Sequence, residues 1–135
     1  GDQIRELISQ FVDSHSNALS FESLGNQRYL SCLSIFDAVI GNSSSGILEA
    51  PTFDIATINI GARQDGRVQA QSVIDCNASI DEIQNALVKS MSSDFKALCH
   101  DSINPYGFGG ASAKIVQELE RIDFSDLRIK SFVDI

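Results

Sequence analysis

The stretch that decides the fold is residues 37–61, "DAVIGNSSSGILEAPTFDIATINIG". A short apolar run at 37–41 and a β-branched run at 55–61 each predict a buried strand. Between them, a serine-rich turn precedes a brief helix that begins at about Ser45. Pro51 limits this helix, because an interior proline removes a backbone hydrogen bond. Two buried strands joined by a helix predict a parallel pair with a right-handed connection.

The alternation of helices and strands continues toward the N-terminus. An apolar stripe at helical spacing predicts a helix around 4–12, and alternating polarity predicts a short strand over Asn17–Phe21. Tyr29, Leu30, Leu33 and Phe36 recur at helical spacing and predict a second helix before the first buried strand.

Toward the C-terminus, residues 72–76 predict a further short apolar strand. Ser79 and Glu82 form an S-x-x-E capping box that starts one helix, and a glycine-rich loop then leads into a last helix from about 111. The predicted order is helix, strand, helix, strand, helix, strand, strand, helix, helix. This order indicates an α/β class, a Rossmann-like parallel sheet with helices on both faces.

The length of 135 residues suits one domain, and we predict a single domain over 1–135 with a C-terminal helix and tail over 111–135. No apolar run approaches the roughly 20 residues of a membrane span, and the polar opening "GDQIRELISQ" is unlike a secretory signal. The net charge of −8 disfavours nucleic acid and anionic membranes as partners. We therefore expect a cytoplasmic protein.

The cysteines and histidines do not predict a metal site. Cys32, Cys76 and Cys99 are odd in number and widely spaced, so we expect reduced, mostly buried thiols. His15 and His100 have no partners at metal-ligand spacing, and we expect both at the surface.

The serine-rich turn follows the first buried strand, and the loop after residue 61 follows the second. Because parallel strands end on the same side of a sheet, both loops lie at one rim, and ligands bind beyond these carboxyl ends. Ser43 and Ser44 offer hydroxyls at a helix entrance, and Gly46 leaves room for a ligand to approach the backbone. Arg63, on the neighbouring loop, adds a guanidinium that suits phosphate oxygens. This combination predicts a phosphate or diphosphate site.

Glu49 lies one helical turn beyond Ser45, where a carboxylate could accept hydrogen bonds from the vicinal diol of a ribose. Together with the serines it indicates a nucleotide. Simpler explanations remain open: the serines as plain helix caps, Glu49 as a complement to the helix dipole, and Arg67 as a surface arginine or partner of Asp65. The loop "YGFGGASAKI" is either an anion-binding turn or a tight connection.

Three motifs, "GNSSSGILEA" at 41–50, "NIGARQDGR" at 59–67 and "NPYGFGGASAKI" at 104–115, together resemble the UDP-N-acetylglucosamine 2-epimerases. The resemblance runs from about Gln3 to Leu119. The "GARQDGR" loop is similar to that of the hydrolysing branch, which makes N-acetylmannosamine or a related sugar for sialic-acid-type synthesis. The resemblance implies a glycosyltransferase-B-type architecture of two Rossmann-like domains, with this chain as the C-terminal, UDP-binding half.

The resemblance also implies roles for individual residues. Ser43 and Ser44 would hold the diphosphate, Glu49 the ribose and Arg63 the nucleotide, while main chain near Leu24 would meet the uracil. The implied partners are a UDP-sugar, the chain's own N-terminal domain and further copies in a homo-oligomer.

The implied reaction removes the proton at C2 of the sugar, expels UDP and adds water to the glycal, without a metal or redox cofactor. The catalytic acid and base of the family lie mainly on the N-terminal domain, so catalytic residues are not identified in this chain. Phe108 stands where an aspartate is common in the family, which leaves that position without a role. The alternatives are a non-hydrolysing epimerase, a related sugar-nucleotide glycosyltransferase, and a non-catalytic domain that senses UDP-sugars.

Overall fold

The computed structural model describes residues 2–124. The chain divides into two compact units, Gly1–Pro105 and Tyr106–Ile135. The predicted tail beyond residue 124 lies outside the described residues, and the single domain over 1–135 stays a prediction.

The first unit contains the sheet and most of the helices. Its helices are α1 (Asp2–Ser14), α2 (Gly25–Leu33), α3 (Ser44–Leu48), α4 (Ile80–Met91) and α5 (Ser93–Asp101). Its strands are β1 (Ala38–Gly41), β2 (Ala56–Ile60) and β3 (Val73–Cys76), and two 3₁₀ turns cover Ala50–Phe53 and Ala62–Gln64.

The three strands form one parallel sheet in the order β1-β2-β3. In the register of the sheet, Gly41 is the partner of Asn59, and Asn59 is the partner of Asp75. The three strands therefore end at one rim. The predicted α/β class and parallel sheet are confirmed.

Helices cover both faces of this sheet, as predicted. Ala56 and Ile58 of β2 pack with Ala86 of α4 and with Phe95 and Cys99 of α5. Successive strand residues point to opposite faces. On the other face, Leu33 of α2 packs with Ala50 and Ile55, and Tyr29 and Val39 lie against this group.

The predicted strand over Asn17–Phe21 is wrong, because these residues form no strand. The alternation that suggested it places Leu19 and Phe21 in solvent, with 80% and 64% of their surface exposed. A strand is stable only when its N–H and C=O groups pair with a neighbour. No neighbouring strand is present for it in the described part of the chain.

The one helix predicted after Ser79 is two helices, separated at Ser92. The Ser92 N–H donates to the Lys89 carbonyl and ends α4, while its hydroxyl accepts from Phe95 N–H and starts α5. This break directs Phe95 and Cys99 onto the sheet.

The described part of the second unit is the glycine loop and α6 (Ala111–Arg121). Gly107, Gly109 and Gly110 adopt positive φ, so the loop turns tightly into the helix. No residue of α6 is buried. Phe108 is 83% exposed.

Among residues 2–124, no helix is long and apolar enough to span a membrane. His15 and His100 are exposed, as predicted. The thiols of Cys32, Cys76 and Cys99 are free; Cys99 is buried and the other two are half-buried.

Candidate functional site

The serine turn begins where β1 ends. Ser43 has extended backbone geometry, and its hydroxyl accepts a hydrogen bond from Ser45 N–H at 3.4 Å. Ser43 is therefore a helix cap, the simpler explanation of this serine, and both Ser43 and Asn42 are exposed, so that a ligand can reach them. The helix that follows, α3, has only five residues. Its dipole is weaker than that of a long helix, so a ligand here depends more on nearby side chains.

Gly46 serves packing, which corrects the expectation that it makes room for a ligand. Gly46 is buried, and a Cβ added to it would lie 2.6 Å from Thr57 Cγ2. The Thr57 hydroxyl donates to the Gly46 carbonyl at 2.8 Å. The glycine thus lets α3 lie directly on β2.

Arg63 reaches the serine turn from the neighbouring strand. It lies in the 3₁₀ turn Ala62–Gln64 that follows β2. Its Nη1 is 3.4 Å from both the carbonyl and the Oδ1 of Asn42. The structure therefore brings the guanidinium to the turn that carries Ser43 and Ser44, as the strand topology predicts.

Gln64, which no sequence motif singles out, makes the shorter contact between the two loops. Its Nε2 donates to the Asn42 carbonyl at 2.8 Å, and the residue is only 3% exposed. Its Oε1 is buried and has no hydrogen-bond partner among residues 2–124. The only sequence signal is its place beside Arg63 in the "RQDGR" segment.

Glu49 ends α3, where its N–H donates to the Ser45 carbonyl at 2.9 Å. The residue is half-buried. Its carboxylate makes no hydrogen bond or ion pair with the described residues. It is thus available to a ligand, one helical turn from Ser45.

Leu24 lies immediately before α2 and lines an open hollow of about 460 Å³. Gly25 and Tyr29 are among the other residues that line this hollow. The Tyr29 hydroxyl is hydrogen-bonded to the Ser45 hydroxyl. Tyr29 therefore joins the hollow at Leu24 to the start of α3, a contact that its place in an apolar stripe did not reveal.

The charge around Arg63 is asymmetric. A hollow of about 210 Å³ at the ends of β2 and β3 is lined by Asp65, Asp75 and Glu82. Asn59 Nδ2 donates a hydrogen bond to the Asp75 carboxylate at 2.7 Å. An anion is therefore disfavoured on the β3 side of this rim and favoured on the β1 side, where the serine turn lies.

Arg67 lies outside the candidate site. Arg67 is exposed and makes no ion pair with Asp65 in the described part of the chain, so it is a surface arginine.

Within residues 2–124, no group of three or more His, Cys, Asp or Glu side chains is arranged to hold a metal ion.

The chain is similar to known proteins over nearly its whole length. The sequence model of the UDP-N-acetylglucosamine 2-epimerase family matches residues 1–120. The chain is 38% identical over 134 residues to the GDP/UDP-N,N'-diacetylbacillosamine 2-epimerase (hydrolyzing) of Campylobacter jejuni, covering 98% of this chain and 34% of the relative.

Two more relatives have the same pattern of coverage. The UDP-N,N'-diacetylbacillosamine 2-epimerase (hydrolyzing) of Legionella pneumophila is 34% identical, covering 90% of this chain and 31% of the relative. The polysialic acid biosynthesis protein P7 of Escherichia coli is 36% identical, covering 83% and 28%. The chain spans about a third of the length of these curated relatives. The serine turn and the "RQDGR" loop both lie within the matched residues, and the chain belongs to the UDP-N-acetylglucosamine 2-epimerase family.

Proposed function

We propose that this chain is the UDP-binding part of a hydrolysing UDP-sugar 2-epimerase. The observation that carries the proposal is the approach of Arg63 to within 3.4 Å of Asn42, across the rim from one strand end to the next. A guanidinium and several hydroxyls at one turn can donate hydrogen bonds to the oxygens of a diphosphate.

The diphosphate is proposed to lie between Ser43, Ser44 and Arg63. Ser43 and Arg63 are exposed and Ser44 is half-buried, so a ligand can reach all three. Among the described residues, Arg63 meets only uncharged groups of Asn42, both at the long distance of 3.4 Å. Phosphate oxygens would give it stronger, charge-assisted hydrogen bonds.

The rest of the nucleotide is assigned to the surfaces on either side. Glu49 is proposed to accept hydrogen bonds from the ribose hydroxyls, since its carboxylate has no partner among the described residues. The uracil is proposed to occupy the hollow that Leu24 lines, where the family resemblance implies recognition by main chain near Leu24. The contact between Tyr29 and Ser45 supports this assignment because it links the two regions.

The reaction proposed for the whole protein begins with removal of the proton at C2 of the sugar. The bond from C1 to the UDP oxygen then breaks and leaves a glycal; water adds its hydroxyl to C1 and a proton to C2. This chemistry needs a general base and a general acid. Since Glu49 is assigned to the ribose, we assign both to the N-terminal domain that the family resemblance implies.

Two sugars are candidates for the substrate. The resemblance points to UDP-N-acetylglucosamine, whereas the names of the Campylobacter and Legionella relatives specify N,N'-diacetylbacillosamine. The name of the Legionella relative specifies a UDP-sugar and that of the Campylobacter relative a GDP- or UDP-sugar, so the proposed UDP site serves the UDP-linked form of either sugar. Supplying the intact protein with each UDP-sugar in parallel and comparing kcat/KM distinguishes them.

The nucleotide site is tested by calorimetric titration of UDP and UMP into the chain. UDP should bind more tightly than UMP, and Arg63→Ala should weaken UDP binding by about 1–3 kcal/mol, the range for losing a charged hydrogen-bond partner. Arg67→Ala is the matched control, because it removes the same charge from the same loop. Equal binding of UDP and UMP, together with no effect of Arg63→Ala, would show that no diphosphate binds here.

The hydrolysing reaction is tested with the intact protein in water enriched in heavy oxygen. Hydration of a glycal predicts a free sugar product that carries the label at C1, detected by mass spectrometry. A product still attached to UDP would identify a non-hydrolysing epimerase. Binding of UDP-sugar without turnover would identify a sensing domain.

A further inference from the structure

We propose that Gln64 is a positioning residue for the diphosphate site: its buried amide holds the Asn42 carbonyl so that Arg63 and the serine turn face one ligand. This inference rests on the proposed function, since it concerns the same site. It adds a residue that does not itself touch the nucleotide.

The 3₁₀ turn after β2 gives its residues different directions. Neighbouring side chains in such a helix diverge by roughly 120°, because there are three residues per turn. Arg63 is accordingly exposed at the rim, while Gln64 is 3% exposed and points into the protein. One short turn therefore supplies both an exposed cation and a buried donor at the end of β2.

Both side chains donate to the same carbonyl, but at different distances. The Asn42 carbonyl oxygen is 2.8 Å from Gln64 Nε2 and 3.4 Å from Arg63 Nη1. The shorter bond is buried, and the longer one lies at the surface. Arg63 can therefore exchange Asn42 for phosphate oxygens while Gln64 keeps the serine turn in place.

Burying the Gln64 side chain costs free energy, which indicates that packing alone does not explain why a glutamine stands at this position. Its Oε1 is buried without a partner among residues 2–124, and burying an unpaired amide oxygen is unfavourable. Methionine has a similar length and shape and would carry no such penalty. The amide contributes what methionine lacks, an N–H donor aimed at Asn42.

The test is a double-mutant cycle between Gln64→Met and Arg63→Ala in the intact protein, with UDP and UMP as titrants. Gln64→Met should weaken UDP binding about fivefold to tenfold, the effect of one hydrogen bond. It should also reduce the preference for UDP over UMP without lowering the melting temperature. In the Arg63→Ala background the same change should weaken UDP binding by a smaller factor, because the serine turn that Gln64 holds no longer has a guanidinium to face.

Gln69→Met is the matched control, because Gln69 Nε2 donates to Asp75 rather than to Asn42, at 3.2 Å. It should leave the preference for UDP over UMP unchanged. If Gln64→Met fails to fold, Gln64→Leu completes the same cycle, since leucine is uncharged and has no hydrogen-bond donor.

Two results overturn the inference while the diphosphate site stands. One is an undiminished UDP affinity in Gln64→Met while Arg63→Ala weakens binding. The other is an equal loss in both backgrounds, which would mean that Gln64 acts independently of Arg63. If Arg63→Ala itself has no effect, the proposed function fails instead, so the two failures are distinguishable.

Discussion

At the scale of single residues, the turn after β1 is held by contacts from β2 and the segment that follows it. The Asn42 carbonyl accepts hydrogen bonds from Gln64 and Arg63, and the Gly46 carbonyl accepts one from Thr57. These contacts have different purposes: the first pair shapes the rim, and the second lets α3 approach the sheet. The serine-rich turn is therefore constrained on its buried side.

Gly46→Ala should destabilise the fold. The new Cβ would lie 2.6 Å from Thr57 Cγ2, and overpacking of this kind costs about 1–3 kcal/mol. The better helix propensity of alanine offsets up to about 1 kcal/mol of this loss. Urea unfolding should therefore show a reduced free energy of unfolding.

The double variant Gly46→Ala/Thr57→Ser provides the control for this prediction. Serine lacks Cγ2 but keeps the hydroxyl that donates to the Gly46 carbonyl. The double variant should be more stable than Gly46→Ala alone. If Gly46→Ala is as stable as the unmodified protein, close packing is not what requires this glycine.

At the scale of elements, the start of α4 combines two caps. The Ser79 hydroxyl accepts from Glu82 N–H at 3.4 Å, as the capping box predicts. The Glu82 carboxylate reaches further back and accepts from the backbone N–H of Asn77 at 2.8 Å and from its side-chain amide at 3.1 Å. The hydrogen bond from the Asn77 backbone is the main cause that lowers the pKa of Glu82, followed by that from its side chain.

This lowered pKa predicts a pH dependence of stability. A carboxyl whose folded pKa lies below its unfolded value stabilises the fold when ionised in both states. Its contribution is therefore present above the ordinary value of 4.5 and is lost as the pH falls through the folded pKa.

Glu82→Gln isolates the effect of this group, because it cannot ionise. The difference in unfolding free energy between the unmodified protein and Glu82→Gln should favour glutamate above pH 4.5 and shrink below it. Urea unfolding on both sides of that pH measures the difference. An unchanged difference would show that the Asn77 contacts do not act on the ionised carboxylate.

At the scale of the whole molecule, burial separates three thiols that look alike in the sequence. Cys99 is 1% exposed within the core between α5 and the sheet. Burial is the first cause that raises its pKa, and Asp54 adds to it. The half-buried Cys76 also has a raised pKa, through burial first and then Glu82 and Asp75.

Alkylation of the folded protein near neutral pH should therefore be selective, because the thiolate is the reactive form. Cys32 and Cys76 should react before Cys99, which should react only when the fold opens. Peptide mapping by mass spectrometry gives the order, and the same reaction in urea, where all three should react alike, is the control. Labelling of Cys99 as fast as Cys32 would contradict the packing of α5 on the sheet.

The sequence by itself determined β1, α3, β2 and the cap at Ser79, because these depend on local hydrophobic period and local hydrogen bonding. It also predicted that Arg63 and the serine turn share a rim, since a right-handed parallel connection leaves no other arrangement. It failed at Asn17–Phe21, where alternation was present but no strand of the described chain pairs with it.

Only the tertiary structure decided which side chains meet across these elements. The partners Gln64 and Asn42 are separated by 22 positions, and the partners Tyr29 and Ser45 by 16. Neither pair leaves a periodic signal, because each contact arises only once the sheet has brought distant loops together. The same holds for Gly46, whose role as a packing residue is set by Thr57 on the adjacent strand rather than by its own turn.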